Sequence, residues 1–291
     1  MKKHFAAILV AGILWGTTGV FRRLLDIMGL STIGVVFIRS LIALICFTVT
    51  LLITDRNAFK IKLKDLWCFI GTGLVSFLFF TLCYFKAMTL MSLSTAAILL
   101  YSAPCFVILI SVPCFHEKIN VPKIVSLVLA FAGCCLVSGI GSGENPLSAL
   151  GILCGFGSGI CYALYSIFSR FALNRGYSSL TINFYTSLLA TAGALCLGGW
   201  QSFPVCFSGS SEILVSLSTG IVTCFLPYMF YTFGLTGVEN GKASIIASIE
   251  PVVATLMGIL IFGESLTFMS AAGVVLVLSA IVVTNLRSSK D

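Results

Sequence analysis

Residues 104–117 read PCFVILISVPCFHE, and residues 251–264 read PVVATLMGILIFGE. Both stretches begin with proline and end with glutamate, and they lie 147 positions apart. The same shift, applied to the whole chain without a gap, superimposes further pairs: Tyr84 on Tyr231, Arg23 on Arg170 and Gly12 on Gly159. Apolar matches are expected by chance in so apolar a chain, whereas matches of proline, glutamate and arginine are not. The chain therefore contains an internal repeat.

The composition indicates a membrane protein. Of the 291 residues, 58% are hydrophobic and 9% are charged, whereas soluble domains carry about 25% charged residues. Lipid permits only helices or closed barrels, because every backbone polar group must be paired internally. The apolar runs are about 20 residues long, which suits a helix crossing about 30 Å of hydrocarbon, and they lack the alternation of barrel strands. We therefore predict an all-α integral membrane protein.

The apolar runs predict ten transmembrane helices joined by short loops, with no room for a soluble domain. The predicted spans are residues 5–25, 31–53, 66–90, 93–115, 122–140, 147–172, 179–200, 212–235, 241–263 and 267–286. The first span follows a short basic start, as in a signal peptide. No small-residue cleavage site follows it, and it aligns with the sixth span, so we expect it to be retained.

The charge distribution predicts the orientation. The net charge is +7. If the N-terminus lies in the cytoplasm, thirteen lysines and arginines fall on that side, whereas only Arg22, Arg23 and Lys86 fall outside and Arg39 lies within a span. The positive-inside rule then places both termini in the cytoplasm. Nucleic-acid binding is disfavoured, since the basic residues sit in short loops and form no stripe.

The repeat divides the chain into two halves of five spans each. Residues 5–138 form the first predicted repeat, residues 139–146 a linker rich in turn-forming residues, and residues 147–286 the second repeat. Because five is odd, the second copy enters the membrane from the opposite side. The two repeats therefore have inverted topology, an arrangement that transporters use to place a substrate site near the bilayer midplane.

Several motifs resemble those of a known family. They are Leu14-Trp15-Gly16, residues 37–43, residues 94–98 continuing through Pro104 to Ile119, and Glu250-Pro251-Val252-Val253-Ala254 running on to Thr267. On these residues the chain resembles the drug/metabolite transporter superfamily, of the EamA type, over its whole length. The resemblance implies a carrier of small metabolites, often an exporter, in the plasma membrane. His116 departs from it, since the family usually has glycine before this glutamate.

Three charged residues within or near the predicted spans are candidate binding residues, because a buried charge needs a partner in lipid. Glu250 precedes Pro251, and its repeat counterpart is Ala103, so the fold does not require a charge at this position. The carboxylate can bind a cation or a proton. Alternatively, neighbouring hydroxyl groups or Arg39 can be its hydrogen-bond or ion-pair partners. Arg39 can hold a substrate carboxylate or serve as a structural partner. Lys86 can line an outer vestibule or extend to the headgroups.

Two prolines and two glutamates are paired by the repeat. Pro104 and Pro251 should each interrupt a helix near its centre and act as hinges beside a central cavity, unless they are simple packing kinks. Glu117 and Glu264 end the same helices, where a carboxylate opposes the helix dipole. We expect each to cap the next helix, near Asn120 and Thr267, or to act as a gate.

The remaining candidates are aromatic. Rings that can contact a substrate or form part of the core are Trp15, Tyr84, Tyr101, Tyr162, Tyr228 and Tyr231. The twelve cysteines lie mostly within spans and are expected to be small buried residues, and the two histidines, near the membrane surface, predict no metal site. Glycines at helical spacing, such as Gly12 and Gly16, predict close helix packing and would suit a sliding contact between the first and sixth spans.

Together these features predict a secondary active transporter that works by alternating access. No nucleotide-binding motif is present, so we expect no cofactor and a gradient of protons or of another ion as the driving force. A channel without ion coupling and an intramembrane enzyme are the alternatives, the enzyme being the weaker. The sequence leaves a homo-oligomer open. It also leaves the charge of the substrate open, since Glu250 and Arg39 can neutralise each other.

Overall fold

A computed structural model describes residues 2–91, 93–138, 148–263 and 265–286, and the described residues are helical with no β-strand. The first half contains α1 (Lys2–Gly16), α2 (Thr18–Ile27), α3 (Thr32–Thr54), α4 (Leu66–Ile70), α5 (Phe80–Leu90), α6 (Leu93–Leu100), α7 (Ala103–Phe115) and α8 (Val121–Val137). The second half contains α9 (Ala149–Asn174), α10 (Ser179–Cys196), α11 (Phe203–Cys206), α12 (Ser210–Gly220), α13 (Leu226–Leu235), α14 (Asn240–Ala247), α15 (Glu250–Phe262) and α16 (Phe268–Leu286). The predicted linker, residues 139–146, lies outside the described residues.

Seven of the described helical segments are long and apolar enough to cross a membrane: Lys2–Ile27, Thr32–Thr54, Leu63–Leu90, Thr95–Phe115, Ala149–Asn174, Ser210–Leu235 and Asn240–Phe262. An eighth is α10 if it is counted with the residues Gly199–Cys206 that follow it at an angle of 88°. Two shorter apolar helices, Val121–Val137 and Phe268–Thr284, fall below the same length. The all-helical membrane class is thus confirmed, and the count of ten spans stays a prediction.

The bend after α10 has a local cause that the apolar pattern did not show. Residues 179–200 were predicted as one span, but α10 ends at Cys196. Gly198 follows with a φ of 90°, in the left-handed region that glycine adopts without a steric penalty and that commonly ends helices. The chain then turns into a short 3-10 helix, Gly199–Ser202.

Two spans are interrupted in their middle. Tyr101 and Ser102 separate α6 from α7, and Ser248 and Ile249 separate α14 from α15. The helices after the breaks, α7 and α15, each have proline in their first turn. The N–H groups of a first turn have no helical partner, so a proline there costs no helical hydrogen bond. Both interruptions lie where the sequence predicts them.

Two further spans contain π-helical segments, which the sequence analysis did not predict. They are Gly71–Phe79, between α4 and α5, and Ile221–Phe225, between α12 and α13. The shift of 147 positions carries residues 74–78 of the first onto the second. A π-turn widens the helix and leaves backbone carbonyls available to other groups, often at functional sites.

Glycine allows close packing against the interrupted spans. A Cβ atom on Gly12 of α1 would lie 2.5 Å from Ile249 Cγ2, and one on Gly159 of α9 would lie 2.9 Å from the carbonyl oxygen of Leu99. The two glycines are repeat counterparts, and each faces the break of an interrupted span. The glycines of α1 therefore pack against α14 and α15, not against the sixth span as a sliding contact would require.

We expect Gly159→Ala to destabilise the protein, because the new methyl group would press against a backbone oxygen that cannot move aside. Overpacking of this kind costs about 1–3 kcal/mol. Gly157→Ala on the same helix is the matched control, since its Cβ would meet Cys83 Sγ at 3.7 Å, an ordinary contact. Thermal unfolding of the purified protein in detergent measures both. Equal melting temperatures for the two variants would show that the close approach does not contribute to stability.

Candidate functional site

The two helix breaks meet α9 around a cavity. Its lining residues are Leu100, Tyr101, Ala103, Pro104, Tyr162, Ser244, Ala247, Ser248 and Glu250. Its empty volume, which includes the part open to the surroundings, is about 300 Å³. Among these nine residues Glu250 alone is charged, so the cavity offers a positively charged or proton-bearing group one strong partner.

Glu250 is the first residue of α15 and is half-buried. A carboxylate is favoured at a helix N-terminus, where the amide groups point toward it. Its Oε2 accepts a hydrogen bond from Tyr162 Oη at 3.4 Å, which is long for a hydroxyl donor. Within the described part of the chain this is the one hydrogen bond that the carboxylate makes. Most of its capacity to accept hydrogen bonds is therefore available to a ligand.

Aromatic rings surround Glu250. The ring of Trp15 lies 6.2 Å from Tyr162 and 5.3 Å from Tyr228, measured between centroids. Tyr101 lines the cavity, and Tyr84 stacks at 6.0 Å on Phe80, whose ring lies 5.7 Å from that of Tyr162. The structure thus brings the predicted residues Trp15, Tyr84 and Tyr101 together with Glu250. Tyr162, another of the aromatic candidates, contacts Glu250 directly through its hydroxyl group.

Two other predicted residues lie away from the cavity. Tyr231 is 3% exposed and exchanges a hydrogen bond of 2.8 Å with Ser166 Oγ, which indicates a role in the core. Lys86 is exposed near the end of α5 and does not line the cavity. Ser244 and Ser248 line the cavity but were not predicted from the sequence. The one sequence signal for them is the helix break predicted before Pro251, which falls at Ser248.

Arg39 faces the π-helical segment of the second half. Its Nη2 donates to the carbonyl oxygen of Thr223 at 2.9 Å, and in the described part of the chain its Nε has no hydrogen-bond partner. Among the described residues Arg39 and Glu250 form no ion pair, so the expectation that one satisfies the other is not met in this structure.

Glu117 contacts a helix of the other half. Its Oε1 accepts from the backbone N of Asn240 at 2.7 Å and its Oε2 from that of Gly241 at 3.2 Å. The carboxylate therefore caps α14. The expectation that it caps the helix starting near Asn120 is wrong, because Asn120 caps that helix with its own side chain, whose Oδ1 accepts from the backbone N of Lys123 at 3.0 Å.

A buried ion pair completes this contact. Lys123 Nζ lies 2.7 Å from Glu117 Oε2 and 3.3 Å from Glu239 Oε2, and Lys123 is 3% exposed. Arg170 Nε donates to Asn240 Oδ1 at 2.9 Å, and its Nη2 donates to the carbonyl oxygen of Val238. We call Glu117, Lys123, Arg170, Glu239 and Asn240 the ionic cluster. It joins α7, α8, α9 and α14 at one end of the bundle.

The repeat gives the charge of Lys123 no counterpart at the opposite end. The repeat counterpart of Lys123 is Ser270, whose backbone N donates a hydrogen bond to Thr267 Oγ1 at 3.1 Å. Glu264, the counterpart of Glu117, lies outside the described residues. The ion pair between Lys123 and Glu117 therefore has no equivalent at the position of Ser270.

Comparisons with known proteins agree with this architecture. The model of the EamA-like transporter family matches residues 3–139 and again residues 149–286. An uncharacterized transporter of Archaeoglobus fulgidus is 29% identical over 286 residues, covering 97% of this chain and 96% of that protein. The threonine/homoserine exporter RhtA of Escherichia coli is 26% identical over 144 residues, covering 49% of this chain and 48% of RhtA.

A solved structure titled "Crystal structure of protein" has the same fold. It superimposes with a TM-score of 0.80 at 17% sequence identity and covers 100% of both chains. At this identity the likeness concerns the fold alone. The family match covers nearly the whole chain, and the family and the relatives are transporters, not enzymes. The chain is therefore a multi-pass membrane transporter and belongs to the EamA-like transporter family.

Proposed function

We propose that the protein is a secondary active exporter of a small metabolite, such as an amino acid or a related compound, in the plasma membrane. The observation that carries the proposal is the cavity where two interrupted helices meet and expose one carboxylate, Glu250. Discontinuous helices near the midplane form the substrate and ion sites of many secondary transporters. The printed name of RhtA, an amino-acid exporter, supports this substrate class.

We propose that residues 5–138 and 147–286 are two inverted repeats that exchange roles during transport. Support comes from paired features at equivalent positions: the interruptions before Pro104 and Pro251, the two π-helical segments, and the contacts of Gly12 and Gly159. Two similar halves permit two packings of similar energy, one open to each side. Both termini would lie in the cytoplasm, as the distribution of basic residues predicts.

Glu250 is the proposed coupling site. A carboxylate in the membrane interior costs several kcal/mol unless a cation or a proton accompanies it, and no arginine or lysine of the described ranges pairs with Glu250. A proton, or a cationic group of the substrate, would meet this requirement. Movement of the cavity between the two membrane faces would then carry the proton or the substrate with it.

The ionic cluster is the proposed gate at one end. Opening that end requires Glu117 to leave the amides of α14 and Lys123 to lose its buried partner. Pro104 and Pro251 are the proposed hinges, because α6 and α14 can turn relative to α7 and α15 without breaking helical hydrogen bonds at those residues. Glu264 is the proposed counterpart of Glu117 at the other gate.

The proposed function is tested by exchange of labelled amino acids in liposomes under a pH gradient. We expect saturable counterflow and gradient-driven accumulation with the wild type, and at least a tenfold loss of accumulation with Glu250→Gln, which binds no proton. Glu212→Gln is the control, since Glu212 contacts Ser211 at the start of α12, away from the cavity. Unchanged pH dependence in Glu250→Gln would exclude the coupling role. Conductance without saturation would identify a channel.

For the gate, we expect Lys123→Met to destabilise the closed end, because Glu117 would keep a buried charge without its cation. Breaking a buried ion pair costs about 3–5 kcal/mol. The expected result is a lower melting temperature, partly restored in the double variant Lys123→Met/Glu117→Gln. Lys118→Met, at an exposed neighbouring position, should have no effect. A melting temperature equal to that of Lys118→Met would contradict the assignment.

For the hinges, we expect Pro104→Ala and Pro251→Ala to slow exchange several-fold while substrate binding stays close to that of the wild type, because each substitution allows a continuous helix. Pro122→Ala is the control: Pro122 also lies in a first helical turn, but that helix follows a loop and not a break. Initial exchange rates and equilibrium binding would be measured together. Wild-type rates in both variants would exclude the hinge role.

A further inference from the structure

The connection between α3 and α4 carries four basic side chains, all of them exposed. They are Arg56, Lys60, Lys62 and Lys64, and we call residues 56–64 the basic segment. Lys60 Nζ donates a hydrogen bond to Asn57 Oδ1 at 3.2 Å. In the described part of the chain, the side chains of Lys62 and Lys64 have neither an ion pair nor a hydrogen bond. The positive charge of the basic segment is therefore not offset by an ion pair within the described protein.

The two acids that flank the basic segment are engaged elsewhere. Asp65 is 6% exposed; its Oδ1 lies 3.0 Å from Arg175 Nε, and its Oδ2 accepts a hydrogen bond from Tyr177 Oη at 2.8 Å. The side chain of Asp55 accepts a hydrogen bond from the backbone N of Asn57 at 2.9 Å. Neither carboxylate pairs with a lysine of the segment.

The backbone of the basic segment is held by the second half of the protein. Tyr177 Oη accepts a hydrogen bond from the backbone N of Lys62 at 3.0 Å. Tyr185 Oη donates one to the carbonyl oxygen of Phe59 at 2.7 Å. Between these two contacts Ile61 packs against an apolar cluster of the core. The lysine side chains thus extend from a fixed backbone, which lowers the entropy lost when a ligand binds.

The exposed apolar residues that follow the basic segment indicate its depth in the membrane. Leu63, Trp67 and Ile70 are 86%, 40% and 39% exposed, and their spacing places them on one helical face. They lie at the start of Leu63–Leu90, which is long and apolar enough to cross a membrane. Tryptophan is enriched at the boundary between lipid and water. The lysines next to Leu63 therefore lie at the level of the lipid headgroups.

The internal repeat shows that the fold does not require this charge. The shift of 147 positions carries the basic segment onto residues 203–211, which contain no lysine or arginine. Phe203 and Phe207, both exposed, take the places of Arg56 and Lys60. The two connections occupy opposite ends of α10 and its neighbours. One end is thus aromatic and uncharged, whereas the other is basic and suits an anionic surface.

We propose that the basic segment binds the anionic headgroups of phospholipids in the leaflet that it borders. A lipid phosphate supplies the negative charge that no ion pair of the described protein supplies, and its acyl chains contact Leu63 and Trp67, which a soluble anion would leave exposed. In the proposed orientation this leaflet is cytoplasmic, where anionic lipids attract basic segments next to a membrane span. The contact lies outside the cavity of Glu250, so the proposal goes beyond the transport function and does not depend on it.

The test uses lipids with brominated acyl chains, which quench the fluorescence of a tryptophan that they contact. Trp200→Phe leaves Trp67 as the reporter for the basic segment, and Trp67→Phe leaves Trp200 as the reporter for the opposite end. Trp15 is retained in both, because it is buried. The full chain is reconstituted in phosphatidylcholine vesicles that contain graded amounts of brominated phosphatidylglycerol or brominated phosphatidylcholine.

We expect phosphatidylglycerol to bind next to Trp67 at least about fivefold better than phosphatidylcholine, as the contribution of a single basic residue at an anionic surface implies. The two lipids should quench Trp200 equally. About 0.5 M salt should weaken the preference at Trp67, because the lysines are exposed and their charges are screened.

The triple variant Lys60→Gln/Lys62→Gln/Lys64→Gln assigns the preference to the basic segment. It removes three charges but keeps the hydrogen bonds to Tyr177 and Tyr185, since those use backbone atoms of the segment. The two lipids should then quench Trp67 equally. The comparison of Trp67 with Trp200 in protein that retains every lysine does not depend on whether this variant folds.

The matched control is Lys2→Gln/Lys3→Gln/Lys118→Gln, which removes three exposed lysines from the same end of the bundle and should retain the preference at Trp67. Loss of the preference in this control would contradict the assignment to the basic segment.

Three further outcomes would overturn the proposal. They are equal quenching of Trp67 by the two lipids when every lysine is present, an equally strong preference at Trp200, and loss of the preference when free glycerol phosphate is added, which would identify a soluble anion as the ligand. None of these measurements involves a substrate, so failure of the proposal leaves the transport function standing.

Discussion

The structure depends on the requirement that a backbone in lipid pair its own polar groups. A helix interrupted in the middle of the membrane loses part of its regular hydrogen bonding, and the hydrocarbon core holds no water to replace it. Here both interruptions, at residues 101–102 and 248–249, face each other across one cavity and are covered by α1 and α9. The cavity, its carboxylate at the start of α15 and the close glycine contacts all follow from placing the two breaks together.

Glycine and a buried carboxylate connect the interrupted spans to the rest of the bundle in different ways. At Gly12 and Gly159 the absence of a side chain lets a neighbouring helix lie against the break itself. At Glu117 a side chain from one half supplies the missing partners for the first amides of α14 in the other half. The first contact is apolar and insensitive to charge, whereas the second depends on the lysine that accompanies the carboxylate.

Much of this arrangement can be predicted from the sequence, for identifiable reasons. The helix breaks follow from Pro104 and Pro251, and the importance of Glu250 follows from a charge that its repeat counterpart Ala103 lacks. The partner of Glu117 could not be predicted, because several helix N-termini are available and only the tertiary fold selects one. The first π-helical segment contains no proline and is followed by none, so it could not be predicted. Pro227 follows the second segment and has no N–H group to bond the carbonyl oxygen of Thr223. That Arg39 is the residue which binds this oxygen depends on the tertiary fold.

The difference between Lys123 and Ser270 has a thermodynamic consequence for a carrier built from two related halves. Identical halves would give inward-open and outward-open forms of equal energy, and the empty protein would divide its time equally between them. Under the proposed mechanism, a lysine at one end alone would remove that degeneracy and favour closure of that end. Such a bias would create no gradient, since a catalyst cannot shift an equilibrium, but it would make the concentrations for half-maximal transport unequal on the two sides of the membrane.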